Sequence, residues 1–537
     1  MIKRTKQPPL TMRVRRMFPR IHSLEKKIGQ MLIVGFHGLE PPDHILHGLA
    51  EGRIGGVILF ARNIDNPAQV AELTRACHEA AKRPILVAID QEGGVVARLR
   101  EGFTESPGAM ALGAAGSDQL AEEVSAVLGA ELRALGINWN LAPAVDVTHN
   151  IDNPSVGVRS LGSDPGLVAR LGAAQVRGFQ SAEVAATAKH FPGKANTPED
   201  PHVSLPVIDG PLDDMWDTDL VPFRAVSEEG IAAMMVTHVQ FKDIEPEYPS
   251  TLSPQIIQVL LRGEVGFTGL VSTDCMEMKA ITNKYGPGES AVLAAIAGAN
   301  TILFSHTREY QEEVYDALLE AVRSDRIPIE TIDFSVEKIQ AMKERFAVTD
   351  QPSIDVIRQP RHLKVAERAA RAGTVLVCNE SGMIPLNGDG SQPVTLIEFA
   401  SNLETKSLEV WDETRFSSSI RARLPDLASI WLDSREPSEE SLSKALSEAS
   451  SAGVLIVATR NAHLLPRQRM LAQKFLSAGK RNALFCLRNP YDAGVLKSAE
   501  SILCTCGDSS PSLESAADAL VGRFSPSAIL PVPLKLD

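Results

Sequence analysis

Val184-Ala185-Ala186-Thr187-Ala188-Lys189-His190-Phe191-Pro192-Gly193-Lys194-Ala195-Asn196-Thr197-Pro198-Glu199-Asp200-Pro201-His202 joins a short apolar run to a long polar loop. Its first five residues are an apolar run short enough to be a buried strand. Lys189 and His190 sit where that strand would end, and Pro192 and Gly193 turn the chain outward. The loop that follows has no apolar period and holds an Asp and a His two residues apart. An α/β barrel places its chemistry on such a loop, one rich in titratable groups leaving the C-terminal end of a buried strand. A lone His in a loop is more often solvated or structural than catalytic, so the weight falls on the rest of the chain.

Working outward, eight short apolar runs alternate with stretches of helical character. They cover residues 31–35, 55–60, 84–89, 137–141, 184–188, 232–236, 269–272 and 300–304. Most are continuous rather than alternating, as strands covered on both faces are. Between them lie amphipathic segments such as Gln311–Val322, with Val314, Leu318, Leu319 and Val322 on one face. Eight strand-helix units predict a (β/α)8 TIM barrel, with a doubly wound sheet as the alternative. The helical pattern ends near Phe346. Residues 349–364, with Pro352 and Pro360, read as a linker. A second α/β pattern follows, with candidate strands at 374–378, 394–399, 429–432, 453–458, 482–487 and 501–505. The expected organisation is a tail (1–22), a barrel (23–348), the linker and a Rossmann-like α/β sandwich domain (365–537). No GxGxxG is present, and no dinucleotide site is assigned.

Composition narrows the function classes. Of 537 residues, 44% are hydrophobic and 23% charged, the balance of an ordinary globular protein. A net charge of −13 argues against nucleic-acid partners, which need a basic face. The N-terminus is locally basic but lacks the apolar core of a signal peptide, and reads as a solvated tail. No apolar run is long enough to span a bilayer. Cys77, Cys275, Cys378, Cys486, Cys504 and Cys506 form no CxxC pair and fit free thiols in a reducing compartment, the cytoplasm.

The ends of the barrel strands carry the chemistry. Strand three leads into Asp90-Gln91-Glu92-Gly93-Gly94 with Arg98 downstream. Strand four leads into Ala142-Pro143-Ala144-Val145-Asp146 and a long loop with Arg159. Strand five gives Lys189, His190, Asp200 and His202, strand six Thr237-His238, and strand seven Thr273-Asp274. Five of eight apolar strands ending in such groups is hard to explain as solvated surface, and predicts a catalytic or binding mouth. His190, His202 and His238 with Asp274 offer metal ligands in principle, but no spacing matches a metal motif. Gly286-Pro287-Gly288 stops short of a phosphate fingerprint. An Asp on a strand end opposed by a His with its own Asp suggests covalent catalysis with general acid/base help.

These residues resemble glycoside hydrolase family 3, and within it the NagZ-like β-N-acetylglucosaminidase branch. That branch reads K-H-F-P-G-H-G-D-T-x-x-D-S-H-x-x-L-P where this chain has Lys189 to Pro206. The family's D-x-E-G-G-R-V-x-R aligns with Asp90 to Arg98, A-P-V-x-D-V with Ala142 to Val147, and G-x-R-S-F-G with Gly157 to Gly162. P-A-T-L-S aligns with Pro249 to Ser253, and the segment through Gly266-Phe267-Thr268-Gly269 leads to Asp274 and Met278. The resemblance implies that Asp274 is the nucleophile, His202 the general acid/base and Asp200 the residue that orients it. It implies that Asp90, Arg98, Arg159, Lys189 and His190 hold the hydroxyls and the 2-acetamido group. It implies a small carbohydrate substrate and no metal or organic cofactor. A His with an ordinary pKa of about 6.5 serves as acid or base near neutrality without the repulsion of a second carboxylate.

The chain departs from the pattern at four places. Val95 replaces an Arg, Lys194-Ala195 replaces His-Gly, Asn196 replaces Asp, and Pro201 replaces Ser. Ala195 and Pro201 predict a stiffer acid/base loop. A Lys194 close to His202 would lower the His pKa. The leading expectation is a retaining β-N-acetylhexosaminidase acting on cell-wall muropeptides or chitin-type fragments, with peptidoglycan recycling as its setting. The alternatives are a β-N-acetylglucosaminide phosphorylase, a β-glucosidase of the same fold, and an inactive sugar-binding protein.

Overall fold

The computed structural model describes residues 21–195, 197, 204–347, 351–386, 393–401, 415–479 and 481–534. The tail expected over 1–22 lies almost wholly outside them. So do Asn196, Asp200, Pro201 and His202.

All eight predicted runs form strands, and they close into a parallel barrel. The strands are β1 (Leu32–Val34), β2 (Gly56–Leu59), β3 (Leu86–Ile89), β4 (Trp139–Asn140), β5 (Ala185–Phe191), β6 (Ala233–Val236), β7 (Leu270–Cys275) and β8 (Thr301–Phe304). β1 pairs with both β8 and β2, which closes the ring and leaves no edge. Continuous burial on both faces explains the runs: Leu86, Val87, Ala88 and Ile89 are all shielded. Helices start where local chemistry satisfies their first amides. Asn66 accepts from the Gln69 amide ahead of helix Pro67–Ala81, and Asp164 from the Gly166 amide ahead of helix Pro165–Ser181. Both helices carry Pro at the first position.

Two strands run further than the apolar run suggests. β5 continues through Lys189 and His190 to Phe191, because the segment after β4 stays alongside it. The Thr187 amide donates to the Ala142 carbonyl, the Lys189 amide to Pro143, and the Val145 amide to Lys189. The Lys189–His190 and Phe191–Pro192 peptides are cis. β7 likewise includes Asp274, which therefore sits on the strand itself.

The C-terminal domain holds a six-stranded sheet of β9 (Val375–Asn379), β10 (Val394–Phe399), β11 (Ala428–Leu432), β12 (Val454–Thr459), β13 (Asn482–Cys486) and β14 (Ser501–Cys504). Its order is β9-β14-β13-β12-β10-β11. β9 runs antiparallel to β14, and the other five strands are parallel. Numbered from β10, the parallel strands lie in the order 2-1-3-4-5, a doubly wound arrangement.

The stretch read as a linker is partly helical. Pro360 is the first residue of helix Pro360–Ala372, a position where its missing N–H costs nothing. The helix packs against barrel helices Ala109–Ala115 and Asp118–Ala134 and against helix Ser510–Leu520 of the C-terminal domain.

Carboxyl-end loops of the two sheets meet. Val95, Val96, Met110 and Val158 of the barrel share one apolar cluster with Tyr491, Cys486, Cys504 and Cys506 of the C-terminal domain. Beside it, Asp508 is bonded to Arg488 at 3.0 Å and lies 3.4 Å from Arg460. Burial pushes the Asp508 carboxyl up, but Arg488, Arg460 and Arg100 outweigh it and hold it below its ordinary value. No helix among the described residues is long and apolar enough to cross a membrane.

Candidate active site at the barrel mouth

The strand ends bring together a cage of alternating charges. Lys189, nearly fully buried, reaches Asp90 Oδ1 at 2.7 Å and Glu92 Oε1 at 2.6 Å. Arg98 approaches Asp90 Oδ2 at 3.3 Å. Arg159 grips Glu92 with two parallel bonds, Nε to Oε2 at 2.9 Å and Nη2 to Oε1 at 2.8 Å, and donates Nη1 to the Ser155 carbonyl at 2.6 Å. Paired, bidentate geometry offsets the cost of taking these charges out of water. Burial pushes the Glu92 carboxyl up, yet Arg159 and Lys189 outweigh it and hold it well below the carboxylate range. Burial likewise pulls Lys189 down, and Asp90 and Glu92 bring it back above its ordinary value. Both stay ionised near neutrality.

His190 faces a different set. Its Nδ1 lies 2.8 Å from Asp146 Oδ2, and its Nε2 lies 3.3 Å from Arg159 Nη2. Arg159 has no lone pair to offer, so Nε2 is the acceptor and Nδ1–H donates to Asp146. Burial, then Lys194, Arg159 and Lys189, push its pKa well below the ordinary value, against the pull of Asp274. His190 is therefore a neutral imidazole with a fixed tautomer. Asp146 also accepts from the Lys194 amide at 3.0 Å, and burial moves its carboxyl upward against Lys194 and Arg159.

The predicted Asp90, Arg98, Arg159, Lys189 and His190 thus converge, and Asp274 lies within electrostatic reach of His190. Asp274 Oδ1 accepts from the Cys275 amide at 2.7 Å. His238 is enclosed between Thr251 Oγ1 at 2.7 Å and the Cys275 carbonyl at 2.9 Å, directly under the end of β7. Among the described residues no group of three or more His, Cys, Asp or Glu is placed to hold a metal ion. Glu92 and Asp146 were not singled out from sequence. Both lie inside the strand-end segments quoted above, and buried cations opposite them are the signal that marks them.

Lys194 acts on the His190–Asp146 pair, and its carbonyl accepts from Asn153 at 3.0 Å. Val95 is buried in the apolar cluster between the domains, where an Arg would be desolvated. Gly286-Pro287-Gly288 opens helix Pro287–Ala297, and Pro287 is its first residue.

The model of the glycosyl hydrolase family 3 N-terminal domain matches residues 23–342. The chain belongs to glycosyl hydrolase family 3. As a family 3 protein it is a glycoside hydrolase. β-Hexosaminidase A of Pseudoalteromonas piscicida is 33% identical over 411 residues, 70% of this chain and 68% of that one. A β-hexosaminidase of Stenotrophomonas maltophilia strain K279a is 38% identical over 299 residues, 55% of this chain and 87% of that one. Among solved structures, a family 3 β-N-acetylglucosaminidase from Paenibacillus sp. superposes with a TM-score of 0.91 at 37% identity, covering 96% of this chain and all of that one. The family 3 barrel and C-terminal sheet are thus both shared with a solved relative.

Proposed function

We propose that this family 3 hydrolase is a retaining β-N-acetylhexosaminidase that removes terminal non-reducing N-acetylglucosamine from muropeptide or chitin-type fragments. The observation that carries the reading is the paired cage of Asp90, Glu92, Lys189, Arg159 and His190 beside Asp274, in a chain alike end to end to a β-N-acetylglucosaminidase.

In this reading the charged rim of the cage holds the sugar hydroxyls and the acetamido group. The Asp274 carboxylate attacks the anomeric carbon as the bond to the leaving oxygen breaks, and a glycosyl ester forms. His202 gives its proton to the leaving oxygen, and Asp200 orients it. His202 then takes a proton from water, whose oxygen attacks the anomeric carbon and frees Asp274. His190 stays neutral throughout, so its fixed hydrogen bonds orient rather than transfer protons. The barrel unit is taken as 23–348 and the C-terminal unit as 365–537. Six free cysteines support a reducing compartment, the cytoplasm.

The test is hydrolysis of 4-nitrophenyl N-acetyl-β-D-glucosaminide beside the matching β-glucoside, by the parent and by Asp274→Ala. Turnover of the acetamido sugar, lost by at least about 10³-fold in the variant, is the expected result. Preference for the glucoside, or an unaffected variant, overturns the reading.

A further inference from the structure

We propose that Asn489, on the loop leaving β13 of the C-terminal domain, is a positioning residue for the sugar-holding Arg159 of the barrel. The inference rests on the proposed function, because it concerns the same site.

Arg159 ends a single turn, Gly157–Arg159, whose other two residues both meet the C-terminal domain. Val158 is buried in the interdomain apolar cluster. Gly157 has φ +44°, and a Cβ on it would lie 2.8 Å from Asn489 Oδ1 and 3.1 Å from Nδ2. The carboxamide of Asn489 therefore lies flush on the bare α-carbon of Gly157, a fit that glycine alone permits. Asn489 is itself held. Its Nδ2 donates to Asn461 Oδ1 at 2.7 Å, and Asn461 is a buried residue at φ +65° on the loop after β12. Asn489 is only 6% exposed, and its Oδ1 makes no hydrogen bond among the described residues. A buried, unsatisfied amide oxygen is costly, and its retention against Gly157 fits a steric stop better than a stabilising contact.

The stop faces a group with no slack. Two residues on in the same turn, Arg159 must meet Glu92 with two bonds and the Ser155 carbonyl with a third while offering Nη2 toward His190. If the turn moves toward the C-terminal domain, that fork loses its alignment and with it the grip on the sugar. The second domain thereby enters the reaction without lending it a reacting group.

The experiment is steady-state kinetics of Asn489→Ala on whichever of 4-nitrophenyl N-acetyl-β-D-glucosaminide and the β-glucoside the parent hydrolyses. KM is expected to rise about tenfold with kcat within about twofold, the signature of lost binding shared by ground and transition states. Asn461→Gly, which keeps the positive φ but removes the anchor, should give the same signature and stands in if the first variant does not fold. Gly157→Ala should be less harmful on the Asn489→Ala background than on the parent, and Asn489→Ala should not add to Arg159→Lys. A parental KM beside a lowered Tm, or additivity with Arg159→Lys, overturns the positioning role while leaving the proposed function intact. A parent that prefers the glucoside overturns the proposed function, and the same KM comparison then decides the positioning role on that sugar. A parent inert on both sugars overturns both.

Discussion

Glu92 is the residue on which the charge balance of the mouth turns, since it accepts from both Arg159 and Lys189. Glu92→Gln leaves two buried cations short of a counter-charge. We expect kcat/KM to fall about 100-fold, read by steady-state kinetics on 4-nitrophenyl N-acetyl-β-D-glucosaminide, with the variant folded by circular dichroism. Lys343 poses the opposite case. It is buried, donates to Gln30 Oε1 at 2.6 Å and the Gly55 carbonyl at 3.0 Å, and is pushed down to about 7 by burial and then by Arg83. The unfolded chain, with an ordinary lysine, binds the extra proton between about pH 7 and pH 10. Parent stability from this group therefore rises with pH across that window, by roughly 1 kcal/mol per unit. Lys343→Met lacks the slope, so its Tm relative to the parent should fall steadily from pH 7 to pH 10. A constant difference across the window would overturn the assignment.

At the scale of elements, Glu131 ties three segments together. From helix Asp118–Ala134 it accepts from the Thr104 amide at 2.9 Å and hydroxyl at 2.6 Å, from the Arg358 amide at 2.9 Å, and faces His362 Nδ1 at 2.9 Å. This buried carboxylate seats helix Pro360–Ala372, and with it the entry to the C-terminal domain. Glu131→Ala strands several buried donors and should cost about 3 kcal/mol, visible as a lower and less cooperative thermal transition. Two prolines and mixed polar residues give 349–364 the turn chemistry of a linker. A helix of modest length beginning at Pro360 shows itself only when the face bearing Ala366, Ala369 and Ala370 has a neighbour to bury it.

For the whole molecule, the two sheets present their carboxyl ends to each other, so one interface serves both. The barrel carries Val95, Val96, Met110 and Val158 into a core shared with the C-terminal domain. Val95→Arg restores the charge that the family pattern has at this place, and buries it without a partner. We expect a loss of about 3 kcal/mol and a lowered Tm in thermal unfolding, together with a raised KM because Val158 shares the same cluster. An unchanged melting profile would show that the interface opens readily to water.

Periodicity and strand-end chemistry by themselves determined the barrel, the second α/β sheet, and the mouth with Asp90, Arg98, Arg159, Lys189 and His190 on it. Local signals sufficed because continuous apolar runs have few other uses, and polar residues that end them have one common destination. Tertiary structure alone decided that β5 runs on through Lys189 and His190, that Glu92 and Asp146 fix the charge states of Lys189 and His190, and that Lys194 bears on that pair. It alone decided that Asn489 rests on Gly157. Each of these depends on what lies across a gap of tens to hundreds of residues, and a pairing energy between buried charges exists only once the fold has removed the water between them.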